Sequence, residues 1–303
     1  MDRLVSVVTP TLDRREMLRG TLDSIAAQSY GAIEHIVVDG GSRDGTLDLL
    51  EQRRDPRVRW TSEPDDGVYD AVNKGLRMAR GDYVCYVNSD DRLFPYALAV
   101  AVAAFEAAPS VAFVYGDLVT VDAATGRGTL KLLPPFDRHA LFRGRLIGQP
   151  AAFWRRDLHE RIGFFDTALT LAADMEFWMR AAEDGEVRHV SEVLAWELHH
   201  PQRLTSGAGA TRRAVDELAR AVARHAPAPT PAQRAKDRVT AGFFHRWDLL
   251  RFLLLRAVRA RRGAWSEFRS DRMCDVDVAR ALMAFIPLAG RRFKDFVHRC
   301  PTG

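Results

Sequence analysis

The chain has 303 residues, of which 47% are hydrophobic and 28% charged. This excludes a disulfide-stapled miniprotein and a globally disordered chain, and suits one large α/β domain with an appendage or two ordinary domains. The net charge of +4 hides a split: residues 1–211 hold 24 Lys and Arg against 31 Asp and Glu, a net of −7, and residues 212–303 hold 20 against 9, a net of +11.

Residues 4–9 are valine-rich and stopped by Pro10, which predicts a buried strand. Met17, Leu18, Thr21, Leu22 and Ile25 then share one helical face. Strand patterns follow at 34–39, 58–61, 83–87 and 111–115, and helical patterns at 46–54, 68–79 and 97–107. This alternation predicts a mostly parallel sheet covered on both faces, with ligands at the C-terminal ends of the strands. The polar clusters 9–11, 39–46, 63–67 and 88–91 each follow a strand, which places four loops on one sheet edge. Beyond residue 116 the pattern loosens. A strand is expected at 127–132, a loop-rich stretch at 136–148, a helix at 175–182 and strand material at 187–196. Residues 226–232 read as a linker, and 242–262 and 276–296 as helices.

Asp39 reads either as a strand-ending Asx turn or as a carboxylate that hydrogen-bonds a nucleotide base. In Asn88-Ser89-Asp90-Asp91 the adjacent carboxylates repel, which favours either a helix cap or a hard cation such as Mg2+ or Mn2+. Asp174 reads as a cap for the helix after it or as an acid facing a site. Trp154, Trp178 and Trp196 fit the core better than a sugar-stacking role. Cys85, Cys274 and Cys300 are widely spaced, which predicts neither a disulfide framework nor a metal pair, and a reducing cytoplasmic compartment. No targeting leader and no run of about 20 apolar residues is recognised.

The runs Val5–Thr11, 37–46, 62–75, Gly81-Asp82-Tyr83 and 88–91, in this order and spacing, resemble a family 2 glycosyltransferase of the inverting GT-A type found in bacterial polysaccharide biosynthesis. The resemblance covers about residues 4–206, and it implies a GT-A catalytic domain at 1–211 followed by a basic helical extension at 212–303. It implies a sugar moved from a nucleotide diphosphate, UDP favoured, to a hydroxyl of a glycan or lipid-linked acceptor, in a hexosyl or N-acetylhexosaminyl transfer. Thr9, Pro10, Asp39, Asp65, Asp66 and Asn88 would then face the donor nucleotide. Asp90, with Asp91 as helper, would hold Mn2+ or Mg2+, and His199 is a further metal candidate beside His200. Asp174 would be the base, and Gln149 and Glu176 would lie on the acceptor side. Asn88 stands where the family's Asp-x-Asp signature has its first acid, which removes a charged ligand there. A nucleotidyltransferase would show a Gly-rich phosphate loop, which Leu12-Asp13-Arg14-Arg15 lacks; a non-catalytic sugar-nucleotide binder is the other alternative. In the tail, 243–262 projects arginines on one arc and apolar residues on the other, which suits packing on the domain or peripheral contact with anionic membrane at the inner face of the plasma membrane. No DNA- or RNA-binding motif is present.

Overall fold

The computed structural model describes residues 2–142, 147–206 and 209–225. The linker at 226–232, the helices expected at 242–262 and 276–296, Cys274 and Cys300 lie outside these residues.

The first half follows the expected alternation: β1 (Val5–Thr11), α1 (Arg15–Ala26), β2 (Ile33–Asp39), α2 (Thr46–Gln52), β3 (Val58–Ser62), α3 (Val68–Met78) and β4 (Tyr83–Tyr86). It continues through β5 (Arg92–Leu93), α4 (Ala97–Glu106), β6 (Val111–Asp122), β7 (Gly128–Lys131) and α5 (Arg138–Leu141). The last described elements are β8 (Ala152–Arg155), α6 (Arg156–Ile162), α7 (Ala173–Asp184), β9 (Glu186–His199) and α8 (Ala210–His225).

One sheet runs in the order β3-β2-β1-β4-β8-β6-β9-β5, with β7 beside β6. β1 pairs in parallel with β2 and β4, β2 with β3, and β6 with β9, whereas β8 is antiparallel to both β4 and β6. Six strands therefore run one way, and β5, β7 and β8 oppose them.

Side chains alternate across a strand, so a sheet covered on both faces buries both sets and carries near-continuous apolar runs. In β1, Val8 faces α3 and α7 through Val72, Leu76, Phe177 and Trp178. Val7 faces α4 on the other side, through Leu98, Ala101 and Phe105. Both valines are completely buried. Trp154, Trp178 and Trp196 are core residues, at 0%, 1% and 6% exposure.

The structure departs from expectation where elements are short or long-range. β5, β8 and α6 were not expected, because two- to seven-residue segments carry little periodicity. β6 runs twelve residues, well past Tyr115, because β7, β8 and β9 pair with it along its length. Residues 210–225, at the start of the expected extension, form α8, which packs on α7 and buries Ala221. No helix among the described residues is long and apolar enough to cross a membrane.

Candidate active site

The loops after β1, β2, β3 and β4 lie at the C-terminal edge of the parallel strands. They are cross-tied before any ligand is considered. Asp13 N–H donates to Ser42 Oγ (2.7 Å) and Arg43 N–H donates to Asp13 Oδ1 (2.7 Å). Asp13 takes the left-handed backbone at φ 51, which the two bonds offset. At Gly40 a Cβ would stand 2.5 Å from Asp65 Oδ2, so only glycine lets the Asp65 carboxylate close over the β2 loop. Gly67, at φ 112, then turns the chain into α3.

Asp39 is fully buried and accepts from the Gly41 and Ser42 amides (3.0 and 2.9 Å), from Ser62 Oγ (2.7 Å) and from Ser42 Oγ. Its carboxylate thus builds the turn. Thr9 is equally buried and its hydroxyl pairs with His35 Nε2 (2.9 Å). Burial, followed by the charge of Arg53, pushes His35 down to about 3, so this imidazole is neutral. Thr9 and Asp39 therefore shape the strand ends from beneath. The buried hydroxyl of Thr11 has no partner and is the free polar atom at the end of β1. Asp65 is half-buried and Asp66 exposed on the β3 loop.

The β4 loop carries the acid cluster. Asp90 Oδ2 accepts from Arg14 Nη1 (2.9 Å) and meets His200 Nε2 at 2.7 Å. Asp90 and Arg14 keep only 10% and 21% of their side chains exposed. His199, the expected metal candidate, points away: its side chain is 46% exposed and lies 3.4 Å from Glu197. Successive side chains at the end of a strand face opposite sides, and it is the second histidine of the pair that reaches Asp90. His200 Nδ1 is buried without a partner.

Asp91 is buried beside Asp90. Burial, then the charge of Asp90, holds its carboxyl well above the usual aspartate range. Asn88 explains how this is tolerated. Its amide donates to Gln149 Oε1 (2.9 Å) and to Asp91 Oδ2 (3.3 Å), while Gln149 Nε2 donates to the Tyr86 carbonyl (2.6 Å). An ionised aspartate at 88 has no hydrogen to give either acceptor and adds a negative charge beside the Asp90 and Asp91 carboxyls. Asn88→Asp is expected to cost about 1–3 kcal/mol, read as a lowered Tm. An unchanged Tm removes this account of the asparagine.

Asp174 lies in the first turn of α7, partly buried. Its carboxylate accepts from the Met175 amide (2.8 Å) and interacts with the Tyr69 hydroxyl. Burial pushes Asp174 up to about 6, against the lowering effect of the Met175 and Tyr69 hydrogen bonds. Burial and then the Asp174 charge raise Tyr69. Tyr86 is raised by burial, by Tyr69 and by the charges of both Asp174 and Asp91, and its carbonyl accepts from Gln149, the partner of Asn88. Glu176 is not part of this group. It is 4% exposed and pairs with Arg180 (2.8 Å) and His225 (2.9 Å).

Arg14, Thr11, Tyr69 and Tyr86 were not singled out in the sequence. Arg14 looks like a surface charge, and the two tyrosines look like core. Only the unusual Asp13-Arg14-Arg15 run after a strand distinguishes the first.

Among the described residues no cluster of three His, Cys, Asp or Glu side chains is arranged to hold a metal unaided. Magnesium-type ions commonly take one or two protein donors plus substrate phosphates. Asp90 and His200 supply a carboxylate oxygen and an imidazole nitrogen, and Asp90 already attracts the Arg14 cation. These donor types suit a divalent cation completed by a diphosphate, and in this structure they bond each other (2.7 Å) and Arg14 (2.9 and 3.3 Å).

Residues 6–163 match the family described as Glycosyl transferase family 2. An uncharacterized glycosyltransferase of Mycobacterium tuberculosis is 36% identical over 59% of this chain and 68% of its own length. A PGL/p-HBAD biosynthesis glycosyltransferase of Mycobacterium bovis is 35% identical over 58% and 69%. Among solved structures, S. aureus TarS 1-349 in complex with UDP-GlcNAc superposes with a TM-score of 0.61 at 21% identity, covering 97% of this chain and 84% of that one. The mannosyltransferase PcManGT from Pyrobaculum calidifontis, in complex with GDP-Man and Mn2+, gives 0.61 at 19% identity, covering 98% and 84%. At these identities the two structures show a common fold. A family match across half the chain, with relatives above 30% identity, establishes that this protein belongs to glycosyl transferase family 2 and is a glycosyltransferase.

Proposed function

We propose that the enzyme transfers a hexosyl or N-acetylhexosaminyl group from a nucleoside diphosphate sugar, UDP-linked in the first instance, with inversion at the anomeric carbon. The observation that carries this reading is the run of contacts between the α7 acid and the acid cluster: Asp174 to the Tyr69 hydroxyl, Tyr69 to Tyr86, and the Tyr86 carbonyl through Gln149 to Asn88. A carboxyl pushed up to about 6 by burial would serve there as a base working near neutral pH. TarS bound to UDP-GlcNAc and PcManGT bound to GDP-Man and Mn2+ support the donor class.

In this mechanism the acceptor hydroxyl loses its proton to Asp174 as its oxygen forms a bond to the anomeric carbon. The carbon–oxygen bond to the diphosphate breaks, and its electron pair leaves with the diphosphate. Attack opposite the leaving group inverts the centre without a covalent enzyme intermediate. Asp90 and His200 would hold Mn2+ or Mg2+, which when bound disperses the charge of the departing diphosphate. Thr11, Asp65 and Asp66 would line the nucleotide side with Pro10, while Thr9 and Asp39 set the loop shape. Gln149, tied to Asn88, would border the acceptor side. The acceptor is a glycan or a lipid-linked sugar. The basic tail would bring the enzyme to the anionic inner face of the plasma membrane, where such acceptors are held.

A thermal-shift screen tests the donor. UDP with Mn2+ is expected to raise Tm more than GDP or TDP with Mn2+, and more than UDP in EDTA, because a ligand of the native state adds RT ln(1 + [L]/Kd) to its stability. A larger response to GDP reassigns the base. No response to any of the three removes the donor reading.

A further inference from the structure

We propose that Glu217, on α8 and outside the family-matched residues, is a positioning residue that holds Asp174 in its working place. The proposal rests on Asp174 being the base.

Glu217 is 5% exposed, which is rare for a glutamate and normally requires partners. It has three. Its Oε1 accepts from Thr170 Oγ1 (2.8 Å), and its Oε2 accepts from the amides of Leu171 (2.7 Å) and Ala172 (3.1 Å). Ala172 is the N-cap of α7 and offers no side-chain cap of its own. The first amides of a helix have no partner within it, and this end carries the positive pole of the helix dipole. A carboxylate delivered from a different helix therefore satisfies the N-cap amide of α7 and the amide before it, while Asp174 itself accepts from Met175. Burial raises Glu217, but the hydrogen bonds from Leu171, Thr170 and Ala172 outweigh it and keep the group below the usual glutamate range, hence ionised.

The geometry gives this cap a consequence beyond stability. Asp174 is two residues after the capped amide, in the same turn, and its side chain bonds the adjacent Met175 amide, its own backbone amide and the Tyr69 hydroxyl, none of them on α8. The loop leading to it is held from α3 by Asn73, whose amide donates to the Phe165 carbonyl (2.9 Å) and whose carbonyl accepts from the Phe165 amide (3.0 Å). Glu217 holds the other end. α8 is also anchored by His225 on Glu176 (2.9 Å), in the first turn of α7, and by Arg224 on Asp166 (2.8 Å), which binds the helix without touching the turn that carries Asp174.

The test compares Glu217→Ala, Glu217→Gln and Arg224→Ala in the full chain, with Asp174→Asn as reference. Turnover is read as nucleoside diphosphate released from a panel of UDP-, GDP- and TDP-sugars. The Asp174 titration is read by carbon NMR of labelled aspartate, which needs no substrate. Glu217→Ala is expected to lower kcat about 10- to 100-fold, the range for a group displaced by about 1 Å, with donor KM changed less than about twofold. It is expected to move the Asp174 titration from about 6 toward the ordinary aspartate range. Glu217→Gln, which keeps one acceptor oxygen, is expected to recover part of both, and it carries the test if the alanine variant does not fold. Arg224→Ala is expected to lower Tm while leaving the titration in place. The proposal is overturned if Glu217→Ala leaves the titration and kcat unmoved, or if Arg224→Ala moves both equally. If Asp174→Asn keeps near-normal turnover, the base assignment fails, and the Glu217 proposal with it. If Asp174→Asn is inactive and Glu217→Ala is unaffected, only the proposal fails.

Discussion

Asp174→Asn is expected to lower turnover about 10²- to 10⁴-fold, the contribution of a positioned general base, while donor affinity stays near the parent value. The substitution keeps the shape and the acceptor oxygen toward the Met175 amide but removes the ability to take a proton. The pH profile gives an independent check. A base works only when ionised, so kcat/KM of the parent enzyme is expected to rise with unit slope through about pH 6 and to level off above it. Stability runs the other way. The folded pKa lies above the unfolded one, so the folded protein is favoured by protonation, and that contribution is lost as pH rises through about 6. At pH 8 the asparagine variant is therefore expected to melt no lower than the parent. A folded Asp174→Asn enzyme with near-normal turnover and an unchanged acid limb eliminates Asp174 as the base.

Asp90→Ala is expected to lower transfer about 10²- to 10³-fold, the range for losing one preorganised electrostatic contact in a transition state. EDTA should abolish parent activity, and Mn2+ or Mg2+ should restore it. Calorimetry separates this from a folding defect. Mn2+ is expected to bind the parent in the presence of UDP and to bind Asp90→Ala far more weakly. His200→Ala should share this loss, whereas His199→Ala should not, because only His200 reaches Asp90. The Asp90 variant also leaves Arg14 without its carboxylate in a site that is largely screened from water, so some loss of Tm accompanies it. Transfer that survives EDTA in full rules out the metal role.

How far the sequence carries is clearest at particular residues. The valine runs of β1 and β2 end at Pro10–Thr11 and Asp39, and the loops after them are dense in glycine and acid. Local composition alone therefore located the site edge. Asp90 and Asp174 read locally as helix caps as readily as site acids, and it was the resemblance to the family that gave them the metal and base roles. The histidine choice was not legible, because the two are adjacent and only the exit direction of β9 separates them. Asn88 looked like a lost ligand; in the structure it is a donor between Asp91 and Gln149, a role defined by partners on other elements. Glu217 stands among arginines in an amphipathic helix and reads as surface charge. Glu176 looked like a site residue by proximity to Asp174, yet a step of two residues turns it toward Arg180 and His225.

The sequence by itself determined the succession of strands and helices, the edge on which the polar loops gather, and the acids that gather there. These follow from local rules: apolar periodicity, glycine where the chain must turn, and proline where a strand must stop. Only the tertiary structure decided what each charged group faces. Asp90 and His200 are 110 residues apart in sequence, and Glu217 and Ala172 are 45 apart. No local pattern encodes a pairing at that distance, because it depends on how the long β9 strand and the α8 helix pack back onto the catalytic edge.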